Sequence, residues 1–206
     1  LMNQLESIRL LKGLNNIKEK GSGAMGEKKY ALAKTLQGTD IKAIRKKMQL
    51  TQKEFANLAN VSVKTVAHWE SGKTSVTGPV VTLIKLLNEN IDLAKELEVP
   101  EKELPLRLWY YYKNEVCSII DVDERKHLIH VIDYTRDDML KAFGKTTEIT
   151  YEMYEEFLES RCFPKERDKM KMKLRELDLP FFDPMMIIEK TQGRMEEDEF
   201  WIKIER

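Results

Sequence analysis

Lys64, His68 and Ser71, with Val63 and Thr65 beside them, have the side-chain types and spacing of a surface that approaches nucleic-acid base edges. On a helix, positions 64, 67, 68 and 71 share one side, whereas Val66 and Trp69, three apart, point the other way into a core. The outward side is small, polar and basic, which suits hydrogen bonding in a groove. His68 has a plainer reading as a solvated surface residue, and Trp69 reads as core packing, not base stacking. Lys46, Lys47 and Lys53 read as solvated charges that add to the local field. Catalytic chemistry finds little here. Cys117 and Cys162 have no convergent histidine nearby in sequence, and Asp137-Asp138 and Glu196–Glu199 are charge runs of the kind that form solvated faces. No glycine loop cradles phosphate, and no His/Cys set has metal-ligand spacing, so neither a metal nor another cofactor is expected.

The flanking segments supply what would hold that face in place. Thr39 or Asp40 is expected to cap a first helix carrying Ile41, Ile44, Arg45 and Met48. Thr51-Gln52-Lys53-Glu54 is a capping box, after which Phe55, Ala56, Leu58 and Ala59 face inward. Asn60-Val61 makes a short turn, Ser62 caps the helix Val63–Ser71, and Gly72 ends it in a left-handed conformation. Pro79 suits the first turn of Val80–Leu87, and Ile91–Leu97 supplies a last helix. Helix, tight turn and helix form a unit that lays its second helix in a major groove.

Ile44-Arg45, Leu50-Thr51-Gln52, Glu54-Phe55-Ala56, Val61-Ser62, Thr65-Val66 and Trp69-Glu70-Ser71-Gly72-Lys73 resemble the XRE family of phage-repressor-type helix-turn-helix domains. Val63-Lys64-Thr65-Val66 with Trp69-Glu70 and Gly78-Pro79 narrows the resemblance to antitoxins of the HigA and MqsA kind. The resemblance implies a five-helix DNA-binding domain, with Gln52 holding a phosphate at its helix N-terminus and positions Val63, Lys64 and His68 reading bases. Thr65, Ser71 and Lys73 complete the expected DNA-binding set. Arg45 and Glu70 match the family's buried ion pair and are assigned to structure. Val63 departs from relatives with a polar reader and is expected to meet a thymine methyl. The last helices would help form a homodimer, setting two recognition helices about 34 Å apart on a pseudo-palindromic operator.

The 206 residues accommodate one large domain or two small ones. At 42% hydrophobic and 34% charged, they describe an ordered, soluble protein, with no run long enough to span a bilayer and no signal-peptide pattern. Two cysteines fit a reducing cytoplasm, where the protein would act on the nucleoid. Net charge is zero, but the zero is a cancellation. Thr39–Lys85 carries eight Lys/Arg against three Asp/Glu, and residues from Glu101 onward carry nineteen against twenty-five. A basic module (27–99) is thus expected to precede an acidic one (104–206), divided near Glu98–Pro105, where two prolines bracket a charged turn. Gly21-Ser22-Gly23-Ala24-Met25-Gly26 reads as a linker and cloning scar after a fused peptide, residues 1–20, tethered near a site that captures it. A native N-terminal helix is the alternative.

In the acidic half, Leu106–Tyr112, Glu115–Asp121 and His127–Asp133 are rich in Val, Ile, Tyr and Trp and are separated by turn residues, which predicts a three-stranded antiparallel meander. Thr150, Pro164 and Pro184 are expected to open three helices, the last closed by Gly193, with Phe200–Ile204 as a further strand. The fold class is therefore a mainly α, five-helix helix-turn-helix domain followed by an α+β domain. Phe157-Leu158-Glu159-Ser160-Arg161-Cys162-Phe163-Pro164, Arg167-Asp168, Leu174, Leu177, Asp183-Pro184 and Ile188, then Thr191, Gly193, Asp198 and Trp201, resemble a small domain that accompanies HipA-like kinases and other toxin loci. That resemblance implies a partner-binding role, with Arg161 and Arg167 forking onto a partner's carboxylate or phosphate, or else making intramolecular salt bridges. The leading expectation is a non-enzymatic autorepressor and antitoxin whose partners are an operator and a toxin or toxin-derived peptide. The alternatives are a phage or mobile-element repressor that senses a peptide or small ligand, and a catalytic C-terminal domain delivered by the helix-turn-helix.

Overall fold

The computed structural model describes residues 30–165 and 167–206, without the side chains of residues 167–169. The expected fused peptide and linker lie outside the described residues. The chain divides into two compact units, one ending at Leu86 and the other running from Leu87 to Arg206.

In the first unit the helices α1 (Gly38–Lys47), α2 (Gln52–Leu58) and α3 (Val63–Glu70) enclose Ile41, Phe55, Ala56, Val66 and Trp69. Val81 and Ile84 of α4 (Pro79–Glu89) close the same core. A two-stranded antiparallel ribbon, β1 (Thr35–Leu36) with β2 (Val76–Thr77), adds Val76. The expected cap of α1 is corrected. The helix begins at Gly38 with Gln37 at the cap position, and Asp40 sits in the first turn, accepting from the Gln37 N–H at 3.2 Å. The earlier start depends on a close approach, because a Cβ on Gly38 would lie 1.9 Å from the Trp69 carbonyl oxygen. Any other residue there would push α1 off the end of α3. The remaining caps follow the local chemistry. Thr51 accepts from Glu54 N–H and Ser62 from Thr65 N–H, while Gly72 takes φ +72° just after α3. A fifth helix, α5 (Ile91–Glu96), falls in the second unit.

The second unit is built on an antiparallel sheet of four strands, one more than the meander expected. Its order is β5 (Leu128–Asp133), β4 (Glu115–Asp123), β3 (Leu106–Tyr112), β6 (Phe200–Glu205). The extra strand pairs with β3 on the side away from β4, which makes β3 central; β3 buries Leu106, Leu108 and Tyr110 on one face and Arg107 on the other. β6 pairs with it in register, Leu108 opposite Ile204 and Tyr110 opposite Ile202. Three helices supply the apolar cover: α6 (Tyr151–Ser160), α7 (Arg167–Glu176) and α8 (Pro184–Thr191), through Tyr154, Phe157, Leu158, Leu174, Ile187 and Ile188. Thr150 and Asp183 cap α6 and α8, whereas α7 begins three residues after the expected Pro164.

The irregular stretch before β3 is tied to the sheet. Arg107 forks onto Asp121 at 2.6 and 2.7 Å and donates to the carbonyls of Pro100 (2.9 Å) and Glu101 (3.2 Å). With both side chains almost fully buried, this pair satisfies its polar atoms internally. The residues expected to divide the modules are therefore held by the second of them.

Candidate nucleic-acid interface

Recognition chemistry on a helix needs a rigid base, and α3 has one in its last residue, Glu70. Its carboxylate accepts from Arg45 Nε at 2.6 Å and Nη2 at 3.1 Å, and from Gln52 Nε2 at 2.9 Å. Arg45 donates a further bond to the Leu50 carbonyl at 2.8 Å, which fixes the turn between α1 and α2. One network thus joins all three helices. The Arg45 guanidinium holds the Glu70 carboxyl below the usual glutamate range despite the opposing effect of burial, and Gln52 adds to the depression. Both side chains are largely buried, so the charge is fully compensated where water cannot do it.

On the outer side of α3, Lys64 is exposed and Val63 is 44% exposed. The ammonium groups of Lys64 and Lys73 pair with no described residue, so both stand ready for an external anion. Ser71 is exposed and donates to the His68 carbonyl, while His68 itself is half-buried. Thr65 faces back to the cap, its hydroxyl 2.8 Å from that of Ser62. Val63, Lys64, His68, Ser71 and Lys73 therefore share one helix and the turn after it. Gln52 belongs to the supporting network, with its amide orientation set by Glu70. The Gln52–Glu70 bond is the feature that sequence reading missed. Two polar residues eighteen apart carry no local signal, and only the packing of α2 on α3 joins them.

The second unit places its arginines otherwise. Arg161 is buried and bonded within the unit: Nη1 and Nη2 to Asp198 at 2.6 and 3.0 Å, Nε and Nη2 to the Gly193 carbonyl, and Nη2 to the Phe200 carbonyl. Nε, Nη1 and Nη2 each have an acceptor within the unit, so the intramolecular alternative describes this residue. The Arg167 side chain lies outside the described residues. Cys117 and Cys162 are buried free thiols, and burial pushes Cys162 up to about 12, which keeps it protonated and a poor nucleophile. Among the described residues no three His, Cys, Asp or Glu side chains are grouped to hold a metal, and no helix is long and apolar enough to cross a membrane.

Comparison with known proteins agrees with this geometry. The model of the helix-turn-helix family matches residues 41–86, the stretch from the first core residue of α1 to the end of the first unit. The chain is also similar to the antitoxin PezA of Streptococcus pneumoniae serotype 4, 28% identical over 125 residues, a match that covers 47% of this chain and 79% of that protein. Residues 41–86 are a helix-turn-helix domain of the XRE type, the DNA-binding module of transcription regulators.

Proposed function

We propose that the chain is a sequence-specific DNA-binding autorepressor and the antitoxin of a toxin–antitoxin pair. It acts as a cytoplasmic homodimer on the operator of its own operon. The observation that carries the reading is the exposed, uncommitted side of α3, mounted on the Arg45–Glu70–Gln52 network. Lys64 and His68 meet base edges, Val63 meets a thymine methyl, and Ser71, Lys73 and Thr65 line the backbone side. Gln52, oriented by Glu70, contacts a phosphate. The antitoxin part is supported by the similarity to the antitoxin PezA. Toxin capture is given to the acidic second unit. No enzymatic step is proposed.

The DNA part is tested by titrating the chain onto the DNA upstream of its gene at several salt concentrations. A straight fall of log affinity with log salt, with specific binding lost against scrambled DNA, is expected. The toxin part is tested by expressing the neighbouring gene alone and with this chain. Toxicity alone and rescue by the pair are expected, and normal growth with the neighbour alone removes the antitoxin reading.

One feature favours the alternative, a repressor that senses a peptide or small ligand. A cleft of about 310 Å³ in the second unit is lined by apolar Phe163, Leu177, Ile187 and Met195 and by both signs of charge, Arg161, Lys173 and Arg194 with Glu176, Glu196 and Glu197. An operator complex that dissociates on adding a host extract freed of protein would favour sensing over toxin capture.

A further inference from the structure

The two edges of the four-stranded sheet are finished differently. At the β6 edge the Ile202 N–H donates at 2.7 Å to the Gln192 carbonyl, at the end of α8, and Arg206 pairs with Glu189. That edge is covered. At the other edge, Tyr134 N–H donates to the Cys117 carbonyl at 2.8 Å, continuing the β4–β5 ladder. Backbone groups alternate sides along an antiparallel strand, so those of Leu128, His130 and Ile132 face β4, and those of Ile129, Val131 and Asp133 face outward. No other described residue bonds to these outward groups. β5 also lacks several of the usual protections of an edge, its one charge being Asp133 at its end. Leu128–Asp133 contains no proline, lysine or bulge, and Leu128 is 49% exposed.

The side chains of β5 are self-complementary about one point. A two-fold axis normal to the sheet at His130 sets Leu128 against the partner's Ile132, Ile129 against the partner's Val131, and His130 against its own copy. Every pair then shares a face, as direct opposition requires. The neighbouring symmetric registers are worse. Centring on Ile129 sets Leu128 against His130, and centring on Val131 sets Ile129 against Asp133, apolar against polar in both.

We propose that β5 is a dimerisation edge, at which two copies of this chain join antiparallel about His130 into one continuous sheet. This rests on the homodimer of the proposed function and gives it an interface on β5 in place of the last helices expected from sequence; it needs no DNA, so its failure and that of operator binding are separable.

His130 is exposed, so its replacement leaves each copy folded. The two native thiols are buried, which makes an introduced one the reactive site. Across a close antiparallel pair the Cα atoms lie about 4.5 Å apart, within disulfide range. In the full chain under mild oxidation, His130→Cys should form a disulfide-linked dimer. Leu128→Cys and Ile132→Cys should each stay uncrosslinked alone but crosslink when mixed. Sedimentation should show a dimer for the wild type and a several-fold weaker one for His130→Glu and for His130→Lys, with an equimolar mixture of the two restored. A monomeric wild type, a dimer indifferent to His130→Glu, or Ile132→Cys crosslinking with itself while His130→Cys does not, each overturns the proposal. A monomer that pairs only with a different protein does so as well.

Discussion

Glu70 accepts three hydrogen bonds from two helices, and its loss reaches further than its own position. Glu70→Ala leaves the largely buried Arg45 guanidinium without its carboxylate and should cost about 3 kcal/mol in urea denaturation. The same pair sets a pH dependence. Glu70 titrates below its ordinary value in the folded chain, so its contribution is complete above the unfolded value of about 4.3 and fades as pH falls through the depressed folded one. The wild type should therefore lose stability more steeply than Glu70→Gln below about pH 5, as followed by thermal melts along an acid series. Lys64 belongs to the other class of residue, exposed and structurally idle. Lys64→Ala should leave the melting temperature unchanged and weaken operator binding about tenfold. Equal affinity for the two proteins would remove Lys64 from the recognition surface. The difference between these residues was partly legible beforehand: helical phase separates Lys64 from Val66 and Trp69, but nothing local announces that Gln52 reaches Glu70.

Elements were legible where a short-range rule governs them. Thr51 with Glu54, Ser62, Gly72, Thr150 and Asp183 with Pro184 mark helix ends by hydrogen bonds that span two or three residues, and such chemistry is written in the chain. Ser62→Ala should cost about 1 kcal/mol for the same reason. The start of α1 was misread because it is set by a distant contact, Gly38 against the Trp69 carbonyl. Gly38→Ala should destabilise the first unit by about 2 kcal/mol or more, seen as a lowered unfolding midpoint with the second unit unaffected. The fourth strand was legible as a strand but not as a partner of β3. Its pairing spans some ninety residues of sequence, and Arg107 within an apolar run disguised a central strand as a half-solvated one. Only its fork onto Asp121 makes that burial tolerable.

Across the whole molecule, a zero net charge conceals a basic first unit and an acidic second one, and each predicts its own loss on deletion. Removing residues 101–206 takes away the sheet with its β5 edge but leaves the first unit's core intact. The fragment should still bind operator DNA, more weakly than the full chain, and should no longer rescue cells from the neighbouring gene product. Full rescue by the fragment would place toxin capture in the first unit. If the outer side of α3 reads an operator, titrating wild type and Lys64→Ala onto the DNA upstream of the gene across a salt series will show it. Wild-type binding should be specific and salt-dependent, with the variant weaker and its log–log slope shallower by about one; absent or salt-independent wild-type binding, or identical curves for the two proteins, would remove α3 as the reader.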